Sequence, residues 1–193
     1  QFNKPVSINN GISDLFLSDE SSFAVRERIP AELRNKKFIL SVGAFIKVKG
    51  HDILIKAFSQ VHKKDPELSL VIIGESAPES ESCKQLINFL HLEPVTFIYD
   101  QVSPELLKVF YDHAQIFVSA SRYESFGLVM AEAGARRLPV IATKTLGAEE
   151  IIEDGVSGFI VEQENHEAIT EAINILLDDP QRGLFLAENL KQR

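Results

Sequence analysis

Short apolar runs alternate with amphipathic segments along most of this chain, and this alternation constrains the fold more than any other feature of the sequence. Runs rich in β-branched residues are typical of buried strands, whereas apolar residues that recur every three or four positions are typical of helices. These patterns predict strands at residues 38–43, 70–74, 95–98, 116–119, 139–142 and 155–161. They predict helices at residues 50–64, 83–90, 104–111 and 167–177, another that carries Glu132, and a last one that ends near residue 193.

Strands that alternate with crossover helices pair in parallel, because each crossover returns the chain to the same edge of the sheet. We therefore predict an α/β fold with a Rossmann-like, doubly wound parallel sheet. Ligands of such sheets bind outside the carboxyl ends of the strands. Gly43, Gly74 and the loop at residues 119–127 each follow a predicted strand, so the glycine-bearing turns lie at the edge where a ligand is expected.

Composition excludes several classes of function. The chain has 193 residues, enough for one domain with a full-sized core, and its formal charge of -8 argues against nucleic-acid binding. Its single cysteine, Cys83, excludes an intrachain disulfide and a cysteine-based metal cage, which favours a reducing compartment. The five histidines show no metal-ligand spacing, and no apolar run approaches the roughly 20 residues that span a membrane. Because the chain starts at Gln1 rather than at a methionine, we interpret it as a piece of a longer protein.

Two carboxylates, Glu124 and Glu132, bracket a glycine-containing turn that leads into an apolar, alanine-rich stretch. If Phe126 or Gly127 opens a helix, the free amides of its first turn face the space beside Glu124, which suits a phosphate. Eight helical residues would separate the carboxylates by about 12 Å along the axis, too far to flank one glycosidic bond. The spacing suits an extended ligand with an anionic centre and hydroxyl-rich ends, such as a nucleotide sugar. The alternative is that both glutamates are solvated surface residues.

Several motifs occur together and in one order. They are Val42-Gly43 followed by Lys49-Gly50-His51-Asp52, the strand at residues 70–74, Ser121 followed by Glu124 through Glu132, Pro139-Val140-Ile141-Ala142, and Glu150-Ile151-Ile152 followed by residues 155–161. In these motifs the chain resembles the donor-binding domain of retaining glycosyltransferase family 4, which has the GT-B fold. The resemblance covers nearly the whole chain, from the connection at residues 8–12 onward.

The resemblance implies a role for each matching residue. Glu124 would contact the transferred sugar, and Glu132 would contact the ribose hydroxyls. Lys49 would pair with the diphosphate, and Gly43 would lie close to it in the donor site. Lys49 and Glu124 are therefore the expected catalytic residues. The donor-binding backbone that would contact the diphosphate and sugar oxygens belongs to Ser125, Phe126, Gly127 and Leu128.

The chain departs from the family pattern at several positions, one of which is the loop after the third strand, where Tyr99 or Asp100 replaces a glycine. The arginine that follows the Val-Gly pair in the family is Ala44 here, which removes one of two expected cations, and we interpret Lys47 as a solvated loop residue rather than its replacement. The glycine before the Pro-Val-Ile strand is Arg137, where a left-handed helix end costs a non-glycine residue about 1 kcal/mol. His51 and His113 are interpreted as a helix-start residue and a surface residue rather than as catalytic groups.

The resemblance also implies how the whole enzyme is organised. Residues 1–36 are expected to form an interdomain connection and leading segment, and residues 37–193 the C-terminal nucleotide-sugar-binding domain. The acceptor site would lie on a missing N-terminal domain, so this chain alone should bind a nucleotide sugar without catalysis. The enzyme would move a hexose from a nucleoside diphosphate to an acceptor hydroxyl with retention, without a metal ion or cofactor, in polysaccharide or glycolipid biosynthesis. It is expected in the cytoplasm, with membrane contact only through the missing domain.

Two other classes of protein stay open from the sequence. One is a GT-B enzyme that epimerises or hydrolyses nucleotide sugars. The other is a non-catalytic binding module on a doubly wound sheet, in which Glu124 and Glu132 are surface residues.

Overall fold

The computed structural model describes residues 11–18 and 28–193. Its centre is a parallel sheet, and the described strands are β1 (Lys37–Val42), β2 (Leu68–Ile73), β3 (Thr96–Tyr99), β4 (Ile116–Ser119), β5 (Val140–Thr143) and β6 (Phe159–Val161). They pair in the order β3-β2-β1-β4-β5-β6, and every pair is parallel. The predicted α/β, Rossmann-like, doubly wound sheet is therefore confirmed. Residues 1–10 and 19–27 of the predicted leading segment, with part of the connection at residues 8–12, lie outside the described residues.

Helices cover both faces of the sheet. Those in the described residues are α1 (Asp14–Leu17), α2 (His51–Lys64), α3 (Ser80–Phe89), α4 (Pro104–His113), α5 (Leu128–Ala135), α6 (Leu146–Ile151), α7 (His166–Asp178) and α8 (Pro180–Lys191). Apolar residues of α2, α3 and α7 form the core on one face, which includes Leu54 and Ile173. Residues of α1, α4 and α5 form the core on the other face, which includes Phe110 and Met130.

The small strand predicted after a turn at residues 155–161 is present, since Gly155 lies in a turn with φ of 72° and the strand begins at Phe159. Helix α6 was not predicted, since its six residues are too few to show a helical period. Its start is nevertheless marked by Thr145, whose hydroxyl accepts a hydrogen bond from the amide of Ala148 at 3.2 Å. The left-handed conformation predicted for Arg137 is present, with φ of 56°.

The described parts of the predicted connection at residues 1–36 pack onto the core that includes Phe110 and Met130. Phe16 is 3% exposed, and its ring meets the ring of Tyr111 edge-on at 5.9 Å between centroids. The carbonyl oxygen of Ser18 accepts hydrogen bonds from Lys108 at 2.9 Å and from Arg136 at 2.6 Å. This segment is therefore held to the domain by an apolar anchor and by two cations that bind its backbone.

We expect Phe16→Ala to lower the free energy of unfolding by about 3 kcal/mol. The change removes a buried aromatic side chain, and no other residue of the short segment can fill its place. Leu17→Ala is the matched control, since Leu17 is the next residue and is 51% exposed. That change should cost less than about 0.5 kcal/mol. Chemical denaturation of the two variants measures both values, and equal losses would show that Phe16 does not anchor the segment.

Candidate functional site

The candidate site lies where the loops after β1 and β4 leave neighbouring strands in opposite directions. Strands β1 and β4 pair directly, with Ile39 opposite Ile116 and Leu40 opposite Phe117. The chain after β1 continues into α2 on one face of the sheet, whereas the chain after β4 continues into α5 on the other. A crevice opens at such a reversal of strand order, outside the carboxyl ends of the strands, and it is where doubly wound sheets bind their ligands.

The two loops are in close backbone contact. Gly50 has φ of 66°, and a Cβ added there would lie 1.9 Å from the carbonyl oxygen of Ala120. A larger residue at Gly50 would therefore push the loops apart. The amide of Arg122 donates to the carbonyl oxygen of Val48 at 2.7 Å, which ties the loop after β4 to the turn before Gly50.

This contact brings together two residues that are 75 positions apart in the sequence. The ammonium group of Lys49 donates to Oε2 of Glu124 at 2.6 Å. Their side chains are 25% and 14% exposed, so the pair is shielded from most of the solvent and is stronger than an exposed ion pair. Gly43 lies beside it, since a Cβ there would be 3.2 Å from Cδ of Lys49. Three of the predicted site residues thus form one cluster.

The start of α5 completes this cluster. Gly127 has φ of 81° and occupies the N-cap position without a side-chain cap, so amides of the first turn have no acceptor within the helix. Its Cα is close to Glu124, because a Cβ at Gly127 would lie 3.3 Å from Cγ of that residue. Ser125 and Leu128 are exposed and Phe126 is half-buried. The positive end of a helix and an ammonium group therefore meet at one place.

Helix α6, which was not predicted, packs against the loop that carries Glu124. The amide of Gly147 donates to the carbonyl oxygen of Glu124 at 2.9 Å. A Cβ at Gly147 would lie 2.6 Å from the carbonyl carbon of Phe126, so only glycine allows this approach. The α6 helix thus fixes the backbone that carries Glu124 and Phe126.

Glu132 lies further along α5 and contacts a different group. Tyr111 donates its hydroxyl to Oε2 of Glu132 at 3.0 Å, and Tyr111 is only 1% exposed. Burial raises the pKa of Glu132, and the hydrogen bond from Tyr111 offsets part of that rise. Burial and the nearby Glu132 carboxylate raise the pKa of Tyr111, which keeps its proton available for donation. Glu132 is thus a half-buried carboxylate that can accept further donors.

The two histidines support structure instead of chemistry. His51 is the first residue of α2, as predicted, and its Nε2 lies 2.9 Å from the carbonyl oxygen of Gly43. A carbonyl oxygen only accepts, so Nε2 carries the proton of a neutral ring, and burial lowers the pKa of His51. His51 thereby holds the loop after β1. His113 is half-buried rather than a surface residue, with Nδ1 2.8 Å from the carbonyl oxygen of Val109.

Other reactive groups do not add to the cluster. Cys83 is buried, which the polar residues around it did not indicate, and burial raises the pKa of its thiol to about 11. Within residues 11–18 and 28–193, no three His, Cys, Asp or Glu side chains are grouped so that they could hold a metal ion. In the same part of the chain, no helix has the length and apolar character needed to cross a membrane.

The sequence analysis missed three supporting residues, which are Tyr111, Arg122 and Gly147. Each acts on a residue far away in the chain, and no local pattern encodes such a contact. Tyr111 had one usable signal, because it falls on the apolar face of α4 and a buried tyrosine hydroxyl requires a partner. The close packing at Gly147 gave no comparable signal.

The chain belongs to a family of glycosyl transferases. The family described as "Glycosyl transferases group 1", of the GT-B superfamily, matches residues 25–193. A capsular polysaccharide biosynthesis glycosyltransferase, CapM of Staphylococcus aureus, is 32% identical over 163 residues, which cover 84% of this chain and 42% of CapM. An alpha-D-kanosaminyltransferase of Streptomyces kanamyceticus is 29% identical over 178 residues, which cover 89% of this chain and 46% of that protein. The chain spans less than half the length of these relatives.

Solved structures show the same fold. Anabaena HepE, in complex with UDP and glucose, superposes with a TM-score of 0.82 at 23% identity, over 89% of this chain and 47% of that one. The C-terminal domain of LpcC, a glycosyl transferase group 1 protein of Francisella tularensis, superposes with a TM-score of 0.80 at 26% identity. The superposition covers 95% of this chain and 95% of the LpcC domain. The described fold is therefore one that glycosyl transferases of this family share.

We expect Glu132→Gln to raise the free energy of unfolding at pH 7. Burial in the folded state raises the pKa of Glu132 above its ordinary value of 4.5, so at neutral pH the buried charge costs stability. This cost disappears as the pH falls through the folded pKa towards 4.5, since the folded state then binds the proton more tightly than the unfolded state. The gain from Glu132→Gln should therefore vanish below about pH 4.

Chemical denaturation at pH 7 and pH 4 measures this difference. Glu67→Gln serves as the control, because Glu67 is exposed and its substitution should change stability little at either pH. A gain that is the same at both pH values would contradict the burial of a charged Glu132.

Proposed function

We propose that this chain is the donor-binding half of a glycosyltransferase that moves a hexose from a nucleoside diphosphate to an acceptor hydroxyl, with retention at the anomeric carbon. The observation that carries the proposal is the Lys49–Glu124 pair, 2.6 Å apart, beside the uncapped start of α5. A cation, free amides and a carboxylate then face one crevice. They match a sugar diphosphate, because the cation and the amides suit its anionic phosphates and the carboxylate suits its sugar hydroxyls.

Lys49 and the amides from Ser125 to Leu128 are the proposed diphosphate site. Negative charge develops on the diphosphate when the glycosidic bond to the sugar breaks. Preorganised donors that face this charge lower the barrier, and they usually make the largest single contribution to catalysis. Gly43 contributes by leaving space beside Lys49, where a Cβ would be 3.2 Å from Cδ.

Glu124 is the proposed contact for the transferred sugar. It forms an ion pair with Lys49, so a bound diphosphate has to take over that ammonium group. The freed carboxylate can then accept hydrogen bonds from sugar hydroxyls. Exchange of partners couples the two events, because Glu124 gains new donors only when a sugar is attached to the diphosphate.

Glu132 is the proposed contact for the ribose. In the described part of the chain, the Tyr111 hydroxyl is the group that donates to it, at 3.0 Å. One donor leaves most of the lone pairs of a carboxylate unused. The two ribose hydroxyls would supply further donors and would stabilise the ionised form that burial disfavours.

We propose that the reaction requires no metal ion or cofactor, since Lys49 and the start of α5 supply positive charge where the diphosphate would lie. The nucleotide sugar is the donor substrate itself. Nucleic acid is not a proposed partner, because the chain carries a formal charge of -8. A reducing compartment suits the single buried thiol, and we place the enzyme in the cytoplasm.

A second domain is the proposed partner at the crevice. The chain spans less than half the length of the relatives described above. Exposed apolar side chains occur in loops and at helix starts along the carboxyl edge of the sheet. These side chains are Ile46, Tyr123, Leu128 and Leu146. An N-terminal acceptor domain would cover them and close the site, and any membrane contact would be made through it. This chain alone should therefore bind donor without transferring sugar.

Two substitutions should separate the sugar and ribose contacts. Glu132→Gln should weaken binding of the nucleoside diphosphate and of its sugar ester alike, by about 1.5 kcal/mol, or roughly ten-fold. Glu124→Gln should weaken binding of the sugar ester relative to the nucleoside diphosphate, because it removes the sugar contact and leaves Lys49 free for the diphosphate. Calorimetry with UDP, GDP, ADP and their glucose esters measures these affinities, and a reversed pattern would overturn both assignments.

A further inference from the structure

Arg122 forms a dense set of contacts next to the proposed donor site. Its Nη1 and Nη2 donate to the two carboxylate oxygens of Asp52 at 2.8 and 2.9 Å. Its Nε and Nη2 donate to the two carboxylate oxygens of Glu164, the second at 3.2 Å. Nη1 also donates to the carbonyl oxygen of Lys47 at 2.6 Å. One guanidinium group therefore binds two carboxylates and one backbone oxygen.

These contacts join the segments that follow three different strands, β1, β4 and β6. Lys47 belongs to the turn after β1, Asp52 to the start of α2, and Glu164 to the loop between β6 and α7. Glu164 has φ of 57°, a left-handed conformation that a non-glycine residue adopts only where its surroundings favour it. Arg122 itself lies in the loop between β4 and α5. The carboxyl edge of the sheet is thus held at its centre by one side chain.

The contacts lie close to both members of the Lys49–Glu124 pair. Lys47 and Lys49 are the ends of one short 3-10 turn, and Arg122 precedes Glu124 by two residues. The backbone amide of Arg122 also donates to Val48, in the middle of that turn, at 2.7 Å. Displacement of Arg122 would therefore move the ammonium group and the carboxylate relative to each other.

The electrostatics favour a fixed position for Arg122. Burial works against the charge of Asp52, yet the hydrogen bonds and charge of Arg122 lower the pKa of that carboxyl. Hydrogen bonds to Asp52 and Glu164 raise the pKa of Arg122 itself. Arg122 is nevertheless an unsuitable diphosphate ligand, because its donors already serve two carboxylates and a carbonyl oxygen. A lysine could not replace it, since an ammonium group lacks the planar fork that binds both carboxylates.

We propose that Arg122 is a positioning residue that sets the distance and orientation of Lys49 and Glu124 for the sugar diphosphate, with Asp52 and Glu164 as its anchors. This inference rests on the proposed donor site. It assigns a role to Asp52, the last residue of the Lys-Gly-His-Asp motif. Because Glu132 is held separately by Tyr111, loss of Arg122 should affect the diphosphate and leave the ribose contact in place.

The test compares a nucleoside with its diphosphate. The unaltered chain is titrated by calorimetry with UDP, GDP and ADP and with uridine, guanosine and adenosine, and the base series that binds tightest is used for the variants. Arg122→Gln removes the fork, Arg122→Lys keeps only its charge, and Asp52→Asn removes one anchor while Glu164 still binds Arg122. Arg193→Gln is the matched control, since it removes an ion pair with Glu153, at 2.9 Å, far along the chain.

We expect Arg122→Gln to bind the diphosphate about ten-fold more weakly and to bind the nucleoside with unchanged affinity. Small displacements of positioned groups produce effects of this size. Arg122→Lys should not restore the diphosphate affinity, Asp52→Asn should show a smaller loss of the same kind, and Arg193→Gln should bind like the unaltered chain. Asp52→Asn tests the proposal even if Arg122→Gln fails to fold.

The outcomes separate this inference from the proposed function. If the unaltered chain binds none of the three diphosphates, the donor-site proposal fails and the role of Arg122 fails with it. If the unaltered chain binds a diphosphate and folded Arg122 and Asp52 variants bind it equally well, the positioning role alone is overturned. Equal losses for nucleoside and diphosphate would also overturn it, because they would indicate general damage to the fold.

Discussion

The direct pairing of β1 with β4 is the constraint on which the candidate site depends. These strands are far apart in the sequence, yet Leu40 lies opposite Phe117 in the centre of the sheet. Since the following helices cover opposite faces, the two loops diverge and leave a crevice between them. The Gly50 contact with Ala120 then sets how closely the loops approach. Lys49 and Glu124 meet as a result of this topology, and neither residue has a local reason to find the other.

Lys49 and Arg122 are both already paired with carboxylates at this crevice, which determines how an anion could bind there. Asp52 and Glu164 are paired with Arg122, and Glu124 is paired with Lys49. A diphosphate therefore depends on the ammonium group released from Glu124 and on the amides at the start of α5. The family resemblance implies an arginine at the position of Ala44. In the loop after β1, Lys49 is the cation that contacts Glu124, and Lys47 is exposed.

Much of the fold was predictable from the sequence because it depends on local patterns. Strand β1 was predicted one residue from its position, since a continuous apolar run leaves few alternatives. The left-handed end at Arg137 was predicted from the family resemblance, since the family has a glycine at this position. In contrast, helix α6 is too short to show a helical period, and the burial of Cys83 and the contact between Tyr111 and Glu132 depend on residues far away in the chain. Both site glutamates could be named from their motif, but the groups that hold them could not.

We propose that a sugar nucleotide binds across the loops after β1 and β4. The most direct measurement is a titration with UDP-glucose, GDP-glucose and ADP-glucose, followed by the backbone amide signals of the isotope-labelled chain in nuclear magnetic resonance spectra. The account predicts that at least one donor shifts the amide signals of Gly43, Lys49, Gly127 and Glu132. Shifts confined to the opposite edge of the sheet, where Gln115, Leu138 and Leu176 line a cavity of about 270 Å³, would contradict it.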